Sequence, residues 1–383
     1  MNFPETTLAV LALLSLALVS WQWLAVVQFP LHQRAADLSF APGITLLKPL
    51  KGCDDTTVGS LQSWFNQNYA GQTQILFGVA DAHDPVCRMV RELIEKYPGR
   101  DARLVICAES LGASGKVSTL IQLERLARHE LILVSDADVR VSSDFLANIV
   151  VPLLDLKTGL VNCFYRLANP ATLAMHCEAI AINVDFWSQV LQAATLGPPD
   201  FALGAVMLTR RKLLGEIGGF TALVNCLADD YQLGHRIAQN GHRVALCPVV
   251  VECWNPPMNW RDVWKHQLRW ARTIRVCQPV PYFFSILSNA TFWPLLWLMA
   301  SLVASPAWGS PLAALGCLLV RIVLAQNLQR RFVPAGDRSP PWLVPVKDVL
   351  QAAVWAAAFF GNTVEWRGQK MRLRRDGTLV AEK

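Results

Sequence analysis

The chain alternates between long uncharged stretches and one central stretch patterned like an ordinary folded domain. Residues 6–33 contain no Asp, Glu, Lys or Arg, and 8–27 within them is a run of 20 mostly apolar residues, long enough to cross a bilayer as a helix. No basic residues precede the run and no small-x-small cleavage site follows it. The pattern therefore predicts an N-terminal transmembrane anchor over 1–30 rather than a signal peptide. A second uncharged stretch, 276–320, is broken by Ser305, Pro306, Trp308, Gly309, Ser310 and Pro311. It predicts a transmembrane hairpin over 283–329, with arms at roughly 283–303 and 312–329. A third apolar run, 342–361, holds Lys347 and Asp348 near its start. Taking those charges into hydrocarbon costs roughly 2.5–3.5 kcal/mol each near the bilayer centre. An interfacial or re-entrant helix with a basic tail is expected over 342–383.

Between these parts, 41–275 has normal charge density and short apolar runs at 44–47, 74–80, 103–107, 131–135, 159–163, 205–209 and 244–247. Helix-like stretches at 85–97, 116–128 and 230–240 separate several of them. Alternating strands and helices predict an α/β domain with a largely parallel sheet, whose ligands bind beyond the carboxyl ends of the strands. At its end, 259–275 reads as an amphipathic interface helix, with Trp260, Trp264, Gln267, Trp270, Ala271 and Ile274 near one face and Arg261, Lys265, Arg272 and Arg275 opposite.

Composition sharpens this picture. Hydrophobic residues make up 53% of the chain and charged residues 17%, below the quarter or so usual for a soluble protein, so a wholly soluble chain is not expected. The net charge of +6 suits contact with acidic lipid or nucleotide phosphates better than coating a nucleic acid. The fourteen tryptophans lie mostly in or near apolar segments, as interface anchors do. No nucleic-acid partner is expected. Ten cysteines form no CxxC pair and no zinc-type cluster, which predicts buried reduced thiols. Arg34, Arg269, Arg272, Arg275, Arg330 and Arg331 flank the apolar segments and place one side in the cytosol; the basic tail, Arg367, Lys370, Arg372, Arg374 and Arg375, returns to it.

Three acidic clusters fall where the chemistry should be. Asp81 and Asp84 follow one strand, Asp136 and Asp138 follow another in LILVSDADVRV, and Asp229 and Asp230 open the stretch DDYQLGHRI. Singly, each has an ordinary use as a turn or helix cap. Together, in this order, they suggest a site. Asp-x-Asp after a strand suits a hard divalent cation, held by one or two carboxylates plus substrate phosphates. An aspartate opening a later helix suits a general base. GASGKVS is not a phosphate loop, because Ser110 stands at the first glycine position and Val117 follows the lysine. The seven histidines are scattered and form no metal motif.

The order of Lys48-Pro-Leu-Lys-Gly52, VADAHDP, SDADVRV, ADDY and QLRW resembles that in lipid and processive glycosyltransferases of GT-A fold. More narrowly, the chain resembles the ceramide glucosyltransferase family, glycosyltransferase family 21, whose bacterial branch includes hopanoid-associated glycosyltransferases. The terminal GNTVEWRGQKMRLRRDGT is similar to the end of that family. The resemblance implies an α/β GT-A domain with an N-terminal anchor and C-terminal membrane helices, in a multi-pass protein of the bacterial inner membrane with its catalytic domain cytosolic. It implies an inverting transfer of a sugar from a UDP-sugar to the hydroxyl of a ceramide-like or hopanoid-like lipid, with Mg²⁺ or Mn²⁺ as cofactor. By the same resemblance Asp81, with Asp84 beside it, serves the nucleotide. Asp136 and Asp138 serve metal and diphosphate, Lys116 lies near the nucleotide, and Asp230 is the base. Gln267, Arg269 and Trp270 close over diphosphate and acceptor. Animal members carry Asp-Ser-Gly where this chain has Asp-Ala-Asp, which is nearer the common metal motif. Two other readings stay open: a catalytically silent lipid- or partner-binding relative, and a processive polysaccharide synthase. Retention of Asp136, Asp138, Asp230 and QLRW argues against the first, and the small number of membrane helices against the second.

Overall fold

A computed structural model of the protein describes residues 3–304, 308–366, 369–374 and 377–381. Ser305 and Pro306 of the expected hairpin turn, and Arg367 and Arg375 of the tail, lie outside the described residues. The chain forms two compact units. One comprises 30–166, 197–256 and 370–383, and the other 1–29, 167–196 and 257–369.

The first is built on eight strands: β1 (Ile44–Leu50), β2 (Thr73–Val79), β3 (Asp101–Ile106), β4 (Leu131–Ser135), β5 (Val139–Arg140), β6 (Thr158–Leu167), β7 (Val206–Arg210) and β8 (Arg243–Cys253). Every apolar run expected to be a strand is one. Their order is β3-β2-β1-β4-β7-β6-β8-β5. The sheet is mixed rather than largely parallel: β3, β2, β1 and β4 are parallel, whereas β7 runs against both β4 and β6, and β5 against β8. Helices Thr57–Phe65, Val86–Lys96 and Gly115–Glu124 supply the crossovers that parallel neighbours require. No crossover helix lies between β6 and β7 within this unit, so those strands pair antiparallel. β1 and β4 are buried along their whole length, which explains their unbroken apolar character. Leu47, Leu76, Leu120, Leu123, Ile132, Met207 and Leu233 form the core between sheet and helices. A Cβ on Gly78 would come within 2.4 Å of Thr119, so glycine permits the close approach of helix Gly115–Glu124 to β2. β1 pairs with β2 on one side and β4 on the other, the switch point at which α/β sheets open a ligand crevice. All ten cysteines are free, and seven are buried.

The second unit is helical. Phe3–Gln28 and Gly309–Phe332 are long and apolar enough to cross a membrane. The expected hairpin arm 283–303 is not one straight helix. Pro279–Ser288 and Phe292–Val303 meet at a 47° bend, and together they make either a broken span or a re-entrant loop. The break has a local cause: Asn289 Oδ1 accepts from the Thr291 and Phe292 amides, starting a new helix, and Thr291 Oγ1 donates to Asp348. Small side chains, Ala9, Ala12 and Ala314, let the helices approach closely around Trp297.

Arg321, within Gly309–Phe332, is 3% exposed and surrounded by protein. Its Nε lies 2.9 Å from Asp348 Oδ2 and its Nη2 2.9 Å from Asp185 Oδ1, while Lys347 pairs with both aspartates. Two cations and two anions thus neutralise one another. Lys347 and Asp348 sit on Leu343–Ala357, a helix of 15 residues. At about 1.5 Å per residue it is shorter than the roughly 30 Å hydrocarbon core. The amphipathic segment forms helix Trp260–Cys277, opened by a capping box between Asn259 and Asp262. Its buried face is centred on Val263, Gln267 and Ala271. Trp260 and Ile274, expected on that face, are exposed, because they sit at the two ends of the helix beyond its packed middle.

Candidate active site

Asp136 leaves the end of β4, and Asp229 and Asp230 occupy the first turn of helix Asp229–Gln239, where the positive end of the helix dipole favours carboxylates. Lys116 stands in the first turn of helix Gly115–Glu124, which Ser114 caps by accepting from the Val117 amide. These separate elements meet at one point. Lys116 Nζ is 2.8 Å from Asp136 Oδ1 and 3.2 Å from Asp229 Oδ2. Burial opposes the charge on Lys116, but Asp136, Asp229 and Asp230 outweigh it and hold the amine above its usual range. Burial and the adjacent Asp229 charge push Asp230 up to about 6, against the pull of Lys116. A carboxylate so tuned can gain and lose a proton near neutral pH.

Asp138 follows Asp136 by two residues, and its main-chain oxygen accepts from Trp254 N at 3.1 Å and Ser60 Oγ at 3.3 Å. Asp81 lies on the loop after β2, largely exposed, with its carboxylate engaged by His83. Hydrogen bonds from His83 lower its pKa. Asp84 Oδ2 accepts from the Gly52 amide at 2.9 Å and Oδ1 from the Val86 amide at 3.0 Å, so it ties the β1 and β2 loops together. Gln267, Arg269 and Trp270 belong to the other unit. There Gln267 is buried, and Trp270 packs edge-to-face on His266 with centroids 4.8 Å apart. The structure therefore joins Lys116, Asp136 and Asp229 directly, sets Asp230 within electrostatic reach of them, and leaves Asp81 and Asp84 on another loop, after β2.

Three further residues stand at the site without a role assigned to them from the sequence. Lys48, in β1, is fully buried, and its Nζ donates to Ser135 Oγ at 3.2 Å and to the Asp136 carbonyl at 2.5 Å. Burial lowers it to about 7, although the charges of Asp138 and Asp136 oppose the shift. Tyr165, in β6, is buried; desolvation, then the nearby charges, Asp230, Asp136 and Asp138 among them, push its phenol up. Gly204 backs Asp230: a Cβ there would lie 2.5 Å from Asp230 Oδ2. Lys48 carries a signal, standing directly after the apolar run 44–47 and opening Lys48-Pro-Leu-Lys-Gly52. Gly204 and Tyr165 carry none that a single sequence reveals.

Among the described residues, no three His, Cys, Asp or Glu side chains converge as a ready metal cage. The hard-oxygen pair Asp136 and Asp138 still fits Mg²⁺ or Mn²⁺, which complete their shells with substrate phosphate and water. The approach of the Lys116 ammonium to Asp136 shows that this point attracts a cation.

The mixed sheet, with aspartates beyond the β1/β4 switch point, has the GT-A architecture. A mannosyltransferase from Pyrobaculum calidifontis, solved with GDP-Man and Mn²⁺, has the same fold: TM-score 0.56 at 20% identity, over 91% of this chain and 99% of that one. The chain belongs to glycosyl transferase family 21, whose profile matches residues 7–379. Ceramide glucosyltransferase 3 of Caenorhabditis elegans is 26% identical over 228 residues, covering 57% of this chain and 48% of the relative. Ceramide glucosyltransferase of Candida albicans is 33% identical over 156 residues, covering 37% and 28%. The chain thus spans less than half the length of either relative.

Gly204 provides a test of the packing behind Asp230. Gly204→Ala should destabilise the protein by about 1–3 kcal/mol through overpacking. In an Asp230→Ala background, where the clashing carboxylate is gone, the same change should cost much less, giving strong non-additivity in thermal unfolding. Simple addition of the two effects would show that the residues do not share this contact.

Proposed function

We propose that the chain transfers a sugar from a UDP-sugar to the hydroxyl of a membrane lipid, ceramide-like or hopanoid-like, with inversion at the anomeric carbon. The observation that carries this reading is the Lys116, Asp136, Asp229 and Asp230 cluster at the switch point of the sheet in a family 21 chain. In this reading the diphosphate binds beyond β4, where Asp136 and Asp138 hold a divalent cation. Such an ion, when bound, neutralises charge developing on the leaving diphosphate. Lys116 adds a second, covalently fixed positive charge beside Asp136. Asp81 serves the uracil or ribose end, and Asp84 keeps that loop in place through Gly52. Gln267, Arg269 and Trp270 are assigned to diphosphate and acceptor.

Asp230 acts as general base. Its carboxylate takes the proton of the lipid hydroxyl as that oxygen attacks the anomeric carbon. The bond from this carbon to the diphosphate oxygen breaks, and UDP leaves with the electron pair. One displacement inverts the centre, and no second nucleophilic carboxylate is needed. The relatives named ceramide glucosyltransferases support a lipid acceptor, as do the two membrane-length helices. Phe3–Gln28 and the hairpin cross the membrane in this reading, with the catalytic unit and the tail cytosolic. An impermeant thiol reagent on intact cells should then label a single cysteine at Gly309 and spare one at Gly377. Labelling at Gly377 would mean that 342–361 crosses.

An acceptor screen tests the reaction itself. The full chain in nanodiscs, given UDP-glucose or UDP-N-acetylglucosamine with ceramide, hopanoid or diacylglycerol, should yield one glycolipid by mass spectrometry. EDTA should stop the product and Mg²⁺ or Mn²⁺ restore it. Absence of glycolipid with every pair would sink the proposal, and full turnover after exhaustive chelation would remove the metal.

The base makes its own demand. Asp230→Asn should lower turnover about 10²–10⁴-fold while leaving UDP binding nearly intact. Because the base must be ionised, wild-type kcat/KM should rise with pH through about 6 and level off above it. A profile flat from pH 5 to 8 would show that Asp230 does not act in this way.

A further inference from the structure

A buried carboxylate lies against the helix that carries Gln267, Arg269 and Trp270. Glu178, on helix Leu173–Ile180, is 1% exposed. Its Oε1 accepts from Gln267 Nε2 at 3.0 Å and meets His266 Nδ1 at 2.5 Å. The His266 ring stands edge-to-face against the Trp270 indole, with centroids 4.8 Å apart. Directly after Glu178 the chain winds through a π-helical turn, Ala181–Phe186, and Phe186 packs on the same indole at 6.0 Å.

A packing role alone does not explain this residue. Its surroundings include Cys177, Ala181, Val263 and Val354, with Lys347 and Gln351 on the same lining, yet among the described residues its hydrogen bonds go to neither of these but to the helix of Gln267. It does not cap its helix, because Thr172 does so by accepting from the Met175 amide. Its Oε2 has no hydrogen-bond partner among the described residues, so the carboxylate is committed through Oε1 to two consecutive residues of one helix. A charged acceptor makes stronger and more directional hydrogen bonds than a neutral one, which suits an anchor for the floppy amide of a glutamine.

We propose that Glu178 is a positioning residue for sugar transfer. It fixes Gln267 directly and Trp270 through His266, and so sets the geometry of the motif without touching substrate. The proposal rests on the reading above that Gln267 and Trp270 take part in the reaction.

The test uses the full chain in nanodiscs with 5-fluorotryptophan, the Trp270 ¹⁹F resonance being identified by its loss in Trp270→Phe. Glu178→Gln keeps the volume and removes the charge. It should shift or broaden the Trp270 resonance and leave those of Trp64 and Trp254, in the other unit, unchanged. Turnover of the active donor and lipid pair should fall about 10–100-fold, as expected for losing bonds to a charged group. Added to a variant carrying both Trp270→Phe and Gln267→Leu, it should bring little further loss. His266→Phe keeps the aromatic contact but cuts the link to Glu178, and it should also move the Trp270 resonance. It decides the matter if Glu178→Gln disturbs Trp64 and Trp254 through general unfolding. An unmoved Trp270 resonance, or a full further loss on adding Glu178→Gln to the Trp270→Phe, Gln267→Leu variant, would overturn the proposal. If Trp270→Phe and Gln267→Leu both keep full turnover, it is instead the motif's part in the reaction that fails.

Discussion

Three carboxylates cannot crowd one point unless a positive charge holds them there. At close range in a partly buried site, repulsion between like charges amounts to several kcal/mol and drives protonation or displacement. Here Lys116 supplies the counter-charge, in contact with Asp136 and Asp229. Asp230 is one residue further along the same helix turn; its burial, and after that the repulsion from Asp229, raise its pKa. The elements around the site serve this balance. Ser114 starts the helix that brings Lys116 in, and the amino end of helix Asp229–Gln239 favours its two aspartates. The end of β4 delivers Asp136. One lysine against three aspartates leaves the cluster net negative, so a cation is the ligand charge it favours.

The helical unit solves a related problem with the opposite aim. Arg321, Lys347, Asp185 and Asp348 are each matched by partners of opposite sign, and Thr291 and Asn289 add hydrogen bonds to Asp348. Complete pairing makes buried charges tolerable, and removing one member would leave an uncompensated ion. The cluster also explains how helix Leu343–Ala357 carries two charges: both face protein rather than acyl chains. Where the active-site cluster leaves Asp230 free to exchange a proton, this one leaves no member unmatched.

Much of this was legible in the sequence, for reasons that differ by element. The seven long strands show as apolar runs because both faces of β1 and β4 are buried. β5 is two residues long and has no pattern to detect. Its pairing with β8, like the reversal of β7, depends on contacts far apart in sequence. Asp136 and Asp230 announce themselves only in company: a carboxylate at a turn or helix start is ordinary, but three acidic clusters in this order on an α/β pattern are not. Gly204 does not, since its importance lies in the space that Asp230 occupies. The helix break at Asn289–Thr291 was hidden inside an uncharged stretch, where hydropathy is blind to a polar cap. Glu178 carries no signal in the sequence, because its partners lie almost ninety positions away.

The loop bearing Asp136 and Asp138 shows why a buried lysine is tolerated at Lys48. That loop has no regular structure, yet its backbone is pinned on several sides. The Asp136 amide donates to Ala205 O at 3.2 Å, and the Asp138 carbonyl accepts from Ser60 Oγ and the Trp254 amide. The Val139 carbonyl accepts from Trp64 Nε1 at 3.1 Å. Lys48 completes the set by donating to the Asp136 carbonyl, with its ammonium 5.0 Å from the centre of the Trp64 ring. A neutral residue of that length could fill the volume but could not donate so strongly. The lowered pKa reflects the desolvation that comes with this position. The main chain that carries Asp136 and Asp138 is thus fixed from β1, from the approach to β7 and from helix Thr57–Phe65, so the positions from which both side chains extend are set by the fold.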